Sequence, residues 1–344
     1  MRRVGSSRSA AGIACGRFRR PHPFLRPRGP GMLAYFVRRV LAAIPVMVVV
    51  ALFVFLLLRL TPGDPAAIIA GDMATPQQLD DIREALGLNQ PLTTQFVTWS
   101  AQLLTGDFGT SLISKTPVTT LIGQRLEPTI SLALLTMALT ILISVPLGVL
   151  AAWKHGSWID NLVMTICVVG FSIPIFVIGY ILIQIFALDL KWLPVQGFRS
   201  VFEGFGPFLQ RAILPALTLA SIYIALIARM TRAAMLDVLG EDYVRTARAK
   251  GLDERKVLFR HALRNAAVPI LTVIGTGFAL MISGVVVTES VFNIPGLGRL
   301  TVDAILARDY PVIQGLILFT SGIYVAINLL IDLSYAFLDP RIRY

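Results

Sequence analysis

Six long apolar runs, set apart by segments that hold nearly all of the charge, dominate the chain. Residues 40–58, 129–152, 162–188, 212–228, 266–288 and 312–331 contain no Asp, Glu, Lys or Arg. A bilayer core of about 30 Å is crossed by roughly 20 apolar residues in helical form, so each run predicts a membrane span. The fourth is the shortest and contains Pro215. It needs a further turn from its outer flank, where neighbouring helices can satisfy the backbone group that proline frees. Pro174 predicts a kink in the third. The pattern gives an all-α integral membrane protein with six transmembrane helices.

Between the first two runs, residues 61–128 are too many for a turn and carry helix punctuation. Thr75, Pro76 and Gln78 fit an N-cap, a proline at the first helical position and a capping-box partner, so a short helix is expected to end near Gly87. A second apolar-faced stretch covers 91–104 with Trp99, GDFG turns the chain at 106–109, and 117–126 leads amphipathically into the second span. The chain therefore divides into an N-terminal extension (1–31), a first span (32–60), a helical cap (61–128) and a five-helix core (129–344) that contains a basic loop at 229–265.

Charge orients this arrangement. Only 15% of the residues are charged and 55% are hydrophobic, against about 25% charged in soluble domains. Lys and Arg near span ends stay on the cytoplasmic side. The cap offers Arg83, Lys115 and Arg125 against Asp64, Asp72, Asp80, Asp81, Glu84, Asp107 and Glu127. The opposite side collects Lys154, nine cations between Arg229 and Arg264, and the tail residues Arg341 and Arg343. Both termini are thus expected in the cytoplasm and the cap outside. The net charge of +11 follows from the inner loops and the first 39 residues. It calls for anionic lipid or a protein partner and needs no nucleic acid.

The first 31 residues hold eight arginines, four prolines and no acid, and read as disordered. A targeting or lipid-binding arm is one reading. The favoured one starts translation at Met32, where MLAYFVRRV forms the short basic flank of a first span. The run that follows is longer than the roughly 7–15 residues of a signal-peptide core and no small-x-small cleavage site follows it, so it is expected to remain as an anchor.

Catalytic and metal chemistry find no foothold. Cys15 and Cys167 stand alone, and His22, His155 and His261 are scattered, so no metal site, cofactor or catalytic residue is expected. There is no phosphate loop and no nucleophile elbow; if ATP drives the protein, another chain holds it. An ion-coupled secondary transporter or channel usually buries ionisable groups within its spans, and here Arg59 and Asp332 lie only at span ends. A membrane enzyme would need a convergent set of His, Asp, Glu or Cys.

The basic loop reads MTRAAMLDVLGEDYVRTARAKGLDERKVLFRHALRNA. A helix is expected from Ala233 through Lys250, broken at Gly251, with Asp253 capping a second helix through Arg264. Its tip, Arg245, Thr246, Ala247, Arg248, Ala249 and Lys250, is small and cationic, which suits close entry into a groove with an acidic rim. The alternative is a loop lying on anionic lipid, although a lipid-bound face usually presents Trp, Phe or Leu.

The stretch DYVRTARAKGLDERKVLFRHALRNAAVPI resembles the cytoplasmic coupling loop of permeases from binding-protein-dependent ABC importers of the peptide and nickel group. The general pattern is Glu-Ala-Ala, three residues, Gly, nine residues, Ile-x-Leu-Pro. Gly251 and Ala247 fit it, while Arg245, Thr246, His261 and Arg264 replace its Glu, first Ala, Ile and Pro. The stretches RRVLAAIPVMVVVALFVFLLLRLTPGDPA, LGLNQPLTTQFVTWSAQLLTGDFGTSL, ESVFNIPGLGRLTVDAILARDYPVIQG and NLLIDLSYAFLDPRIRY extend the likeness over 32–344. The resemblance implies a type I importer permease fold in the bacterial inner membrane. It also implies a second related permease, two ATP-binding subunits and a periplasmic or lipid-anchored solute-binding protein. Tyr243, Val244, Arg245, Thr246, Ala247, Arg248, Ala249, Lys250, Gly251 and Leu252 are then the ATPase-coupling residues. Peptides are the expected solute, with nickel chelates or glutathione as alternatives. Gly275, Gly277, Ser283 and Gly284 in the fifth span are candidates for helix sliding along the solute path, or for plain close packing.

Overall fold

The computed structural model describes residues 32–60, 66, 75–85 and 88–338. Expectations for 1–31, for the chain around Asp64, Asp72 and Gly87, and for Arg341 and Arg343 lie outside them. The first span is α1 (Met32–Leu60). In the cap, α2 (Pro76–Ala85) opens on the expected reciprocal box: the Thr75 backbone N–H donates to Gln78 Oε1 at 2.9 Å and the Gln78 N–H to Thr75 Oγ1 at 3.3 Å. Helix α3 (Leu92–Leu104) lies against α1, where Phe96 and Trp99 meet the buried Phe55 with ring centroids 5.3 and 5.6 Å away. Such aromatic pairs fix an angle as well as burying area.

The second span is the middle of α4 (Val118–Trp153), an unbroken helix of 36 residues, or roughly 50 Å at 1.5 Å per residue. The run 162–188 is not one rod. It is α5 (Trp158–Ser172) and α6 (Ile175–Leu182), the latter continuing as π-helical turns over Ile183–Asp189, with a bend of 103° between the two arms. The expected kink at Pro174 is therefore a full break. Proline disfavours the helical region for the residue before it, and Ile173 is extended at φ −84°, ψ 129°. Among the described residues five helices are long and apolar enough to cross a membrane, six if the bent pair is counted as one span.

The fourth span is α7 (Phe205–Leu239). It gains its missing length at both ends, and runs past Arg229 and Arg232 without interruption. There follow α8 (Asp242–Ala249), a helical turn Glu254–Lys256, a wide π-helical turn Val257–Ala262, α9 (Leu263–Val291), α10 (Leu297–Leu306) and α11 (Tyr310–Leu338).

At the centre, α4 packs on α7 through small residues. Thr136, Thr140, Ser144 and Gly148 follow one another at four-residue spacing on α4 and are buried, and a β-carbon on Gly148 would lie 2.7 Å from the Ala228 carbonyl oxygen. Within a membrane, helices associate mainly by van der Waals contact and interhelical hydrogen bonds, and small residues permit that approach. Around this seam, α1 turns Leu41, Ile44, Val48, Val49 and Phe53 outward, as a lipid-facing helix does. Its Arg39 pairs with Asp332 of α11 at 2.8 Å, which gives Asp332 the interfacial partner expected of a span-end charge.

Candidate coupling surface

The basic loop is built differently from its sequence reading. The expected helix from Ala233 to Lys250 is two helices, because α7 stops at Leu239 and Glu241 is extended at φ −71°, ψ 146° before α8 begins. Along α8, Val244 (0% exposed) and Ala247 (8%) turn inward onto Val238, Leu239 and Val257. Ala247 is thus part of the small core that seats α8, and the exposed face of the helix is made by its other sides. Arg245 is 73% exposed and only loosely paired with Asp242 at 3.5 Å. Tyr243, Thr246, Ala249, Lys250, Gly251 and Leu252 are also exposed. Arg248 places a two-pronged guanidinium on Glu254 at 2.7 and 3.2 Å.

Gly251 closes α8. Its φ of +75° is a conformation L-residues avoid. Here it allows the Leu252 N–H to reach the Ala247 carbonyl at 3.4 Å and its own N–H to reach that of Arg248 at 2.9 Å. This is the Schellman arrangement of a helix C-terminus. Nothing lies within 4 Å of a β-carbon built there, so the constraint is backbone conformation and not space. Asp253 occupies the next N-cap position, but its side chain makes no capping bond; the expected side-chain cap is corrected to a backbone one, from the Val257 N–H to the Asp253 carbonyl at 3.1 Å. The loop then returns along α7 with Leu258 and Ala262 buried against Ala234, Met235 and Val149. Asn265 Nδ2 donates to Tyr243 Oη at 2.8 Å, which ties α8 to the start of α9.

The small residues of the fifth span face inward. A β-carbon on Gly275 would run into Ile331 of α11, while Gly277 and Gly284 face Tyr223 of α7 at 3.5 and 3.3 Å. Close packing requires glycine at 275, whereas a β-carbon at 277 would meet Tyr223 only in ordinary contact. The Ser283 side chain lies outside the described residues.

Three carboxylates that the sequence reading passed over organise the rest. Glu289 is wholly buried one residue past the fifth apolar run, which corrects the expectation that ionisable groups stay out of the bundle. Thr129 Oγ1 of α4 donates to its Oε1 at 2.6 Å, and the Arg299 N–H, in the first turn of α10, donates to its Oε2 at 2.9 Å. Thr129 Oγ1 in turn accepts the Leu297 N–H at 2.8 Å. The carboxylate thereby closes the N-terminus of α10, where exposed N–H groups and the helix dipole favour negative charge. A β-carbon on Gly298 would lie 2.6 Å from the Val286 Cα, so only glycine lets α10 fold back this closely on α9. Asp309, also buried, accepts Ser111 Oγ at 2.5 Å and the Leu112 N–H at 3.1 Å, fastening the cap's exit turn to the start of α11. Asp160, in the first turn of α5, holds Arg232 of α7.

Apolar helices of membrane-crossing length, a small-residue seam between the two longest and an amphipathic elbow reaching out of the bundle define a polytopic membrane permease. The chain belongs to the binding-protein-dependent transport system inner membrane component family, whose sequence profile matches residues 144–344; the companion profile for the N-terminal part of such components matches 32–133. It is 57% identical over 313 residues to a probable peptide ABC transporter permease of Sinorhizobium fredii, covering 91% of this chain and all of that one. It is 45% identical, with the same coverage, to a glutathione transport system permease of Salmonella typhimurium. Among solved structures, an inward-facing methionine ABC transporter has a chain that superposes with a TM-score of 0.54 at 16% identity, over 64% of this chain and 97% of that one. The last likeness concerns the fold alone. The protein is a multi-pass inner-membrane subunit of a transport system that works with a solute-binding protein.

Proposed function

We propose that this chain is the permease subunit of an ATP-driven importer of peptides, and that α8 with its Gly251 turn is the surface received by an ATP-binding subunit. The observation that carries the proposal is the elbow itself: a short helix seated by two inward side chains, with Arg245, Thr246, Ala249 and Lys250 presented outward at a closed C-terminus. Peptides are preferred as solute because a relative named for peptide transport is the more similar, at 57% identity against 45% for one named for glutathione. ATP hydrolysis is assigned to two separate subunits, and a second related permease completes the pore. A solute-binding protein, periplasmic or lipid-anchored, delivers cargo at the face that bears α2 and α3. Both termini and α8 are assigned to the cytoplasm, on the distribution of Lys and Arg.

In this reading, closing of the ATP-binding subunits draws the two elbows of the permease pair together, and the long helices carry the movement to the opposite face, where cargo enters. Cysteine crosslinking in the assembled complex tests the assignment. Thr246→Cys should capture an ATP-binding subunit, and a reporter fused at Asp81 should lie outside while one at Lys250 lies inside. Absence of the crosslink in a transport-competent complex removes the coupling assignment, and reversed reporters remove the orientation.

A further inference from the structure

Where α7 leaves the apolar region it carries Arg229 and Arg232, one turn apart, and these reach towards opposite ends of α5. Arg232 Nε and Nη2 donate to the two carboxylate oxygens of Asp160 at 2.6 and 2.7 Å. The Gly156 N–H adds a bond at 3.0 Å, and His155 Nδ1 stands 3.1 Å from the same oxygen. Asp160 is 2% exposed, so its charge is matched entirely by protein groups. At the other end of α5, the Arg229 guanidinium lies over the Phe171 ring at 5.3 Å, two residues before the extended Ile173 at which the span breaks. Between these points α5 and α7 touch through apolar and small side chains: Val163 and Cys167 against Ala225 and Ala228. Such contacts hold helices together but set their register weakly, whereas a fork on a carboxylate fixes both distance and angle. Removing one partner of such a pair leaves the other charge uncompensated, so the two groups hold each other in place.

We propose that Asp160 and Arg232 are positioning residues that lock α5 to α7, so that a displacement of α8 is delivered through α7 to the 103° bend after Ser172. The proposal rests on the assignment of α8 as the surface received by an ATP-binding subunit. It concerns the step after that contact: α6 moves because α5 cannot slide along α7. Lys154, the other charged group near this cluster, is turned onto Trp153 at 4.2 Å.

The test uses the full transporter in lipid nanodiscs, with spin labels at Ile166→Cys and Leu188→Cys, both exposed positions on the two arms. The native cysteines are replaced by serine. Trapping with ATP and vanadate should change the distance between labels in the otherwise native complex. In Asp160→Asn the change should be lost while the ATP-binding subunits stay bound and hydrolysis continues within about threefold, because the nucleotide sites lie in other chains. Arg232→Lys keeps the charge but not the fork and should reduce the population that responds by about fivefold or more, since one of the two charge-assisted bonds to Asp160 is lost and with it the fixed angle. Asp160→Glu, which keeps the charge, should recover part of the response. A response in Asp160→Asn or Arg232→Lys equal to that of the native pair overturns the proposal. So does loss of the response in proportion to loss of assembled complex, which would mark the cluster as a support for folding only. Failure of the underlying assignment is seen separately, as a missing Thr246→Cys crosslink before any label is measured.

Discussion

The elbow at α8 and the tie around Glu289 are both short helices joined to long ones, yet they are held in opposite ways. Helix α8 is seated by Val244 and Ala247 on three apolar side chains, with its ion pairs exposed and its C-terminus closed by backbone geometry. Helix α10 is fastened by a fully buried carboxylate, a threonine from a helix 160 residues away and backbone N–H groups. Polar bonds away from water are directional and costly to break. Apolar seating is weaker and adaptable. A surface that must dock and undock suits the second kind of support, and a fixed end of the bundle suits the first.

Removing the acceptor at Glu289 should break the contrast most sharply. Glu289→Ala takes the short acceptor from the Thr129 hydroxyl and leaves the Arg299 N–H without its carboxylate, a cost of about 2–5 kcal/mol. It should appear as a lowered unfolding temperature in detergent, with amide exchange in 242–249 unchanged. Ala247→Asp places a carboxylate in the seat of α8 at about 2–3 kcal/mol. There the outcome should be reversed, with faster exchange in 242–249 and α10 still protected. Gly251→Leu forces a branched side chain into a left-handed conformation at about 1–2 kcal/mol; capture of an ATP-binding subunit should fall roughly tenfold while membrane insertion is kept. Arg248→Gln removes only an exposed pair, worth under about 1 kcal/mol, and should change exchange in α8 by less than a measurable step. Equal sensitivity of both regions to Glu289→Ala would dissolve the distinction.

Local signals were read well from the sequence. Thr75 and Gln78 cap α2 because the bonds span three residues, and Gly251 ends α8 because its conformation is intrinsic. The six apolar runs and the family likeness followed for the same reason. What was missed depended on distant chain. Arg232 stays in helix α7 because Asp160, 72 residues earlier, accepts it, so the helix continued where charge implied a loop. The true break falls at Gly240, inside the helix that the sequence predicts over 233–250. Pro174 marked the place of a break, but its angle is set by how α6 packs on α7 and α9. The burial of Glu289 needed α10 to fold back over it, and the inward turn of Ala247 needed Val257 to arrive beneath it.

One consequence lies in the length of α4. The apolar run 129–152 ends one residue before the helix does, so a hydrocarbon layer of about 30 Å leaves most of the surplus length of this stiff strut, roughly 50 Å long, at its Val118 end. Glu127, in that overhang, accepts the Ser200 hydroxyl and the Val201 N–H, and the loop after Trp153 presents Gly156 to Asp160. A tilt of a few degrees would therefore displace the Val118 end sideways further than the Trp153 end, so the strut works as a one-sided lever.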